Sequence, residues 1–90
     1  MLNVTEPAAN LLHKTLEHKA EDDGILRLTR SGEGLGLVVD MEKEGDQIVA
    51  HDGRNVLAVD PDLSRELEGV VMDLVEAPEG PRLAMTAPDA

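Results

Sequence analysis

Three histidines, His13, His18 and His51, and a large excess of carboxylates are the side chains best able to do chemistry in this chain. His13 and His18 are five residues apart, which turns them about 140° from each other on a helix. A helical metal pair needs a spacing of three or four. His13 with Glu17 and His18 with Asp22 have the i,i+4 spacing that could meet a metal, but the pattern reads more simply as solvated helix residues. Glu42, Glu44 and Asp46 flank a turn and could gather a hard cation; the simpler reading is a solvated hairpin. The run Asp60 to Glu66 has some of the acidic spacing of a calcium loop, yet it lacks the central glycine and carries Pro61, which favours a helix start. Ser31 and Ser64 lie in no nucleophile-elbow context, and no histidine is placed beside either.

Other chemistry is removed outright. The chain has no cysteine and no Phe, Tyr or Trp. It therefore offers no thiolate nucleophile, no disulfide, no cysteine-ligated zinc or cluster, and no ring to stack on a base or flavin. The glycine-rich stretch Ser31-Gly32-Glu33-Gly34-Leu35-Gly36 is not a dinucleotide fingerprint, which needs a helix after the glycines. It is not a P-loop either, which needs Gly-Lys-Ser/Thr. It is a flexible connection, or a place where something approaches the backbone, with Ser31, Gly32, Glu33, Gly34 and Gly36 as the candidate interaction loop.

Ninety residues make a single domain spanning 1–90, with a loose tail from about 86. Its core must come from Leu, Val, Ile, Met and Ala. Nineteen acidic against eight basic residues leave a net charge of −11. Phosphate-rich partners need clustered Lys and Arg, so neither nucleic acid nor an anionic membrane is expected. The acidity suits solubility, a basic protein partner or a salty cytoplasm. No basic-then-apolar leader is visible and the apolar runs are short, so a cytoplasmic location is expected.

The elements that must position these residues follow from periodicity. Leu2 and Val4 suit a short edge strand. Thr5 suits a helix N-cap, with Ala9, Leu12, Leu16 and Ala20 as the apolar stripe and an end near Glu21-Asp22-Asp23. Strands follow at Ile25–Arg30, with Leu26 and Leu28 on one face, and at Leu35–Met41, with Leu35, Leu37, Val39 and Met41 pointing one way. Asp46–His51 and Asn55–Val59 flank Asp52-Gly53, a strong hairpin signal. Asp60-Pro61 opens a short helix that stops before Gly69. Val70–Glu76 and Arg82–Met85 complete the chain, with Pro78 to Pro81 as the turn. The order is β-α-β-β-β-β-α-β-β. It gives a small, β-rich α+β fold of mixed, mainly antiparallel strands with one N-terminal helix and one short helix. Val38, Val71 and Val75 put apolar residues on a second face, as expected of strands covered by another layer or a partner subunit.

The order of several segments then resembles a known family. These are Val4-Thr5-Glu6-Pro7-Ala8-Ala9, Ile25-Leu26-Arg27-Leu28, Arg30-Ser31-Gly32-Glu33-Gly34-Leu35, Gly45-Asp46-Gln47-Ile48-Val49, Val56-Leu57-Ala58-Val59-Asp60-Pro61 and Leu67 through Glu76. Their order and spacing are similar to the HesB/IscA family of A-type iron–sulfur carrier proteins, over about residues 2 to 85. The resemblance implies a small β-rich fold, dimers or tetramers, and iron or cluster binding through three cysteines: one in the glycine-rich loop and a pair near the C-terminus. Glu33 stands about where the loop cysteine would be, and the ending Ala87-Pro88-Asp89-Ala90 offers no counterpart to the pair. No cluster ligand carries over, so no cofactor is expected. The chain resembles a short, cysteine-free branch, and any role in iron–sulfur biogenesis would run through protein contacts as a non-enzymatic homo-oligomer. The alternatives are a hard-metal, iron-binding protein using carboxylates or histidines, with Glu33 and His51 as candidate ligands, and a small enzyme acting at the glycine loop.

Overall fold

A computed structural model describes residues 1–19, 24–32 and 34–87. Among these the elements run β1 (Asn3–Val4), α1 (Glu6–Lys19), β2 (Ile25–Ser31), β3 (Gly34–Asp40), β4 (Gln47–His51), β5 (Arg54–Val59), α2 (Pro61–Glu66), β6 (Val71–Ala77) and β7 (Gly80–Thr86). This is the expected order. Instead of one sheet there are two: a three-stranded sheet ordered β1-β6-β7 and a four-stranded sheet ordered β3-β2-β5-β4. The tight connections make the antiparallel pairs β2/β3, β4/β5 and β6/β7, while β1/β6 and β2/β5 are parallel, so both sheets are mixed. The last strand starts earlier than its apolar residues imply, at Gly80, with Pro81 inside it and only Pro78 and Glu79 left to turn. The expected helix end at residues 20–23, and positions 88–90 of the tail, lie outside the described residues.

Local chemistry sets the boundaries. Thr5 Oγ1 accepts from the Ala8 N–H at 3.4 Å at the start of α1 and donates to Asp73 Oδ1 at 2.8 Å, joining the β1–α1 corner to β6. That hydroxyl first, and the Leu74 N–H second, hold the Asp73 carboxyl below its usual pKa. Asp60 caps α2 by accepting from the Leu63 N–H at 2.9 Å, with Pro61 in the first turn. Asp52 and Gly53 both take positive φ, 51° and 78°, as a two-residue type I′ hairpin requires.

Leu12 and Leu16 of α1 pack with Ala8 onto Leu26, Leu28, Val56, Leu57 and Val59, and Leu2, Leu63 and Met72 close the core at its edges. β5 is buried on both faces from Val56 to Val59, as expected of an inner strand parallel to its neighbour.

Charged residues add a second anchor. Arg27, on the face of β2 opposite Leu26 and Leu28, is buried, and so is the side chain of Asp46. The guanidinium grips the carboxylate with both ends, Nη1 to Oδ1 at 3.2 Å and Nη2 to Oδ2 at 2.5 Å. Nη2 also donates to the Met41 carbonyl at 2.9 Å, and Asp46 accepts from the Lys43 N–H at 2.8 Å. The Arg27 Nε lies 3.3 Å from Asp40 Oδ2, close enough for charge attraction but without hydrogen-bond alignment. Asp46 is therefore not part of a solvated acidic hairpin, as its neighbours suggested; only Glu42 and Glu44 remain exposed.

The pairing makes stability depend on acid in one direction. Hydrogen bonds from Arg27, and then from the Lys43 N–H, lower the Asp46 pKa in the folded chain. A depressed carboxyl contributes its full stability above the unfolded value of about 4, and loses it as pH falls through the lower folded value. Asp46→Asn removes the bidentate counter-charge of buried Arg27 and leaves only Asp40 beside its Nε, and should cost about 3 kcal/mol at neutral pH. Urea midpoints should show the gap between wild type and variant narrowing toward about pH 3. A gap that stays the same across this range would show that the loss does not come from the charge on Asp46.

Candidate functional site

The glycine-rich loop is a tight hairpin. Ser31 ends β2, Gly34 begins β3, and the two are paired. Gly32 takes φ +58°. Gly36 sits inside β3 opposite Thr29. Glu33 lies outside the described residues. Beside the hairpin, Arg30 is ion-paired with Glu66 of α2 across an open cleft also lined by Thr29, Asp60 and Asp62.

β3 is an edge strand, and its apolar residues are exposed. Leu35, Leu37 and Val39 pair with Arg30, Leu28 and Leu26, so they continue the core-facing side of β2. Helix α1 packs mainly on β6, β4, β5 and β2, and this side of β3 stays part-exposed. Val39 is 47% and Met41 54% exposed, and Val38, on the opposite face, is 46% exposed. The sequence placed Leu35, Leu37, Val39 and Met41 on one face; the pairing shows this for Leu35, Leu37 and Val39, while Met41 lies just past the end of β3, and among the described residues all four stay part-exposed.

His51 ends β4, at the far end of the four-stranded sheet from the glycine hairpin. In the β2/β5 register Leu28 sits opposite Val59, so the hairpin lies past the C-terminal end of β5, whereas His51 pairs with Arg54 at its start. The loop and His51, both candidate sites, are thus not brought together.

His51 is instead joined to His13. The two Nδ1 atoms are 3.1 Å apart, with the rings edge to face at 83°. Both side chains are largely buried, at 17% exposed for His13 and 13% for His51. The His13 Nε2 lies 3.4 Å from Glu17 Oε1, and the His51 Nδ1 lies 3.7 Å from Asp52 Oδ2. His13 is therefore not a solvated helix residue. The sequence held a signal for this: Glu6, Asn10, His13 and Glu17 follow i, i+4, i+7, i+11, a polar stripe along one side of α1. His18 stays exposed on the helix.

No family model matches the chain, and no curated protein matches it significantly. Solved structures do. The crystal structure of Escherichia coli SufA, involved in biosynthesis of iron–sulfur clusters, superposes with a TM-score of 0.75 at 23% identity, over 99% of this chain and 87% of that one. The structure of IscA with a [2Fe-2S] cluster gives 0.64 at 21% identity, over 100% and 85%. A protein from Aquifex aeolicus determined by solution NMR gives 0.64 at 22% identity, over 97% and 91%. The chain has the HesB/IscA fold, without a cysteine anywhere in it.

The hairpin glycines should respond differently to a side chain. Gly32→Ala forces a left-handed conformation on an L-residue and should cost about 1 kcal/mol. At Gly34 an added Cβ would meet nothing nearer than the Ser31 carbonyl at 4.0 Å, so Gly34→Ala should be close to neutral. Chemical denaturation of the two variants checks the contrast; equal losses would contradict the turn geometry.

Proposed function

We propose that this protein acts by protein contact as a non-enzymatic module of the HesB/IscA fold, in iron–sulfur cluster biogenesis, without holding a cluster itself. The observation that carries the reading is the bare β3 edge beside the glycine hairpin. An open strand edge carrying Leu35, Leu37, Val38 and Val39 is an aggregation hazard unless a partner covers it. An antiparallel edge can pair with its own copy about a twofold axis, so self-association through β3 is the first contact expected. The link to iron–sulfur work rests on the fold shared with SufA and IscA. The lack of thiolates supports the second half of the proposal: clusters are held by soft sulfur ligands, and carboxylates replace them poorly.

Size-exclusion chromatography with light scattering should give a dimer or larger species for the wild type, and the double variant Leu37→Lys/Val39→Lys should shift it to monomer with its circular dichroism retained. A wild type that is monomeric at high concentration would sink the self-association. Affinity capture of the wild type should enrich iron–sulfur assembly proteins or their clients, and the double variant should lose them; capture of unrelated proteins alone would remove the biogenesis role. Anaerobic reconstitution with iron and sulfide should leave the protein colourless after desalting. A stable cluster absorbance at stoichiometric iron would overturn the cluster-free reading.

A further inference from the structure

We propose that His13, His51 and Asp52 form a site for one divalent transition-metal ion of the zinc class, at the end of the β4–β5 hairpin where it meets α1. The site is independent of the protein-contact reading above.

The geometry comes first. One potential ligand atom from each of the three residues lies within 4.8 Å of the other two. The two imidazole Nδ1 atoms are separated by 3.1 Å. With metal–nitrogen bonds of about 2.0–2.1 Å, that separation corresponds to a ligand–metal–ligand angle of about 100°, between the octahedral and tetrahedral values. The rings thus stand where two ligands of one ion stand. Asp52 closes the set from the type I′ turn, where its side chain is 79% exposed and free to rotate the remaining distance inward.

Protonation points the same way. A carboxylate only accepts, so Glu17, 3.4 Å from the His13 Nε2, favours the tautomer with its proton on that nitrogen, in which the Nδ1 lone pair faces His51. This is the carboxylate–histidine–metal arrangement, in which an outer carboxylate sets the tautomer of the ligating ring. Without metal the two Nδ1 atoms can approach only by sharing one proton. A metal ion takes the place of that proton and lets both lone pairs coordinate.

Charge and access agree. Glu6, Glu17 and Asp52 supply three negative charges around the rings, against Arg54, the cross-strand neighbour of His51. A cleft lined by Glu6, Pro7, Asn10 and His51 opens beside the pair and gives water access to complete the coordination shell. Two imidazoles and a carboxylate suit zinc, cobalt, nickel or ferrous iron; magnesium and calcium prefer oxygen alone.

Titration of metal-stripped, tag-free protein with zinc chloride by calorimetry should show one ion per chain, with a Kd on the order of ten micromolar. Magnesium chloride should show no binding. His13→Ala and His51→Ala should each weaken zinc at least about tenfold, while His18→Ala leaves it unchanged. In long-range ¹H–¹⁵N spectra of the wild type, zinc should shift the Nδ1 signals of His13 and His51 and leave those of His18 in place, a readout that needs no variant to fold. Binding weaker than about millimolar, zinc shifts at His18 in their place, or undiminished binding in folded His13→Ala and His51→Ala proteins would each overturn the site.

Discussion

Two adjacent side chains, Asp46 and Gln47, tie together parts of the molecule that backbone pairing leaves separate. Asp46 locks the β3–β4 connection onto Arg27 of β2. The Gln47 amide takes the Leu2 N–H on Oε1 at 3.1 Å and returns its own Nε2–H to the Leu2 carbonyl at 2.7 Å. The same Oε1 accepts from the Ser64 hydroxyl of α2 at 2.7 Å. A strand of two residues cannot hold itself in place, and β1 has only its parallel pairing with β6. The clasp on Leu2 adds a second hold from the other sheet and delivers the Leu2 side chain to the core. A half-buried primary amide with both ends matched to backbone groups is specific in a way apolar contact is not.

The aromatic-free core sets a limit that reaches the surface. One 14-residue helix is about 21 Å long and the four-stranded sheet is about 14 Å between its edge strands, yet α1 must also cover β6 of the second sheet. With Ala8, Leu12 and Leu16 as its deepest side chains, the described part of α1 sits over β6, β4 and β5 and less over β2, offset away from the β3 edge. The part-exposed apolar side of β3 follows from that offset.

Much of the fold was legible because its signals are local. Asp52-Gly53, Asp60-Pro61 and the alternation of Leu26, Leu28, Leu35, Leu37 and Val39 depend on neighbours a few residues away, and each appears where the sequence put it. The periodicity and turn signals likewise led to the element order that is observed. What was not legible depends on contacts between distant parts of the chain. Arg27 and Asp46 are 19 residues apart and look like ordinary members of a polar strand face and an acidic turn; their burial exists only once the β3–β4 connection folds back. His13 and His51 are 38 residues apart, and i,i+4 reasoning on the helix could reach Glu17 but not a ring arriving from another strand. The division into two sheets was hidden for the same reason, since it rests on which distant strands pair, β2 with β5 in one sheet and β1 with β6 in the other.

The placement of donors and apolar surface argues for a division of labour across the four-stranded sheet. At the glycine hairpin the described side chains offer one hydroxyl, that of Ser31, and glycine has nothing with which to ligate. Imidazoles collect instead beside β4, at the opposite edge from β3. Three strand spacings, about 14 Å, and most of the strand length separate the two surfaces. No single ligand of atomic size can touch both. Occupancy at the histidine pair can therefore influence a partner on β3 only through the buried β2 and β5 strands, whose packed core resists small adjustments. The proposed protein contact along one edge and the proposed metal binding at the other are then separable, and a substitution at either edge should leave the other intact.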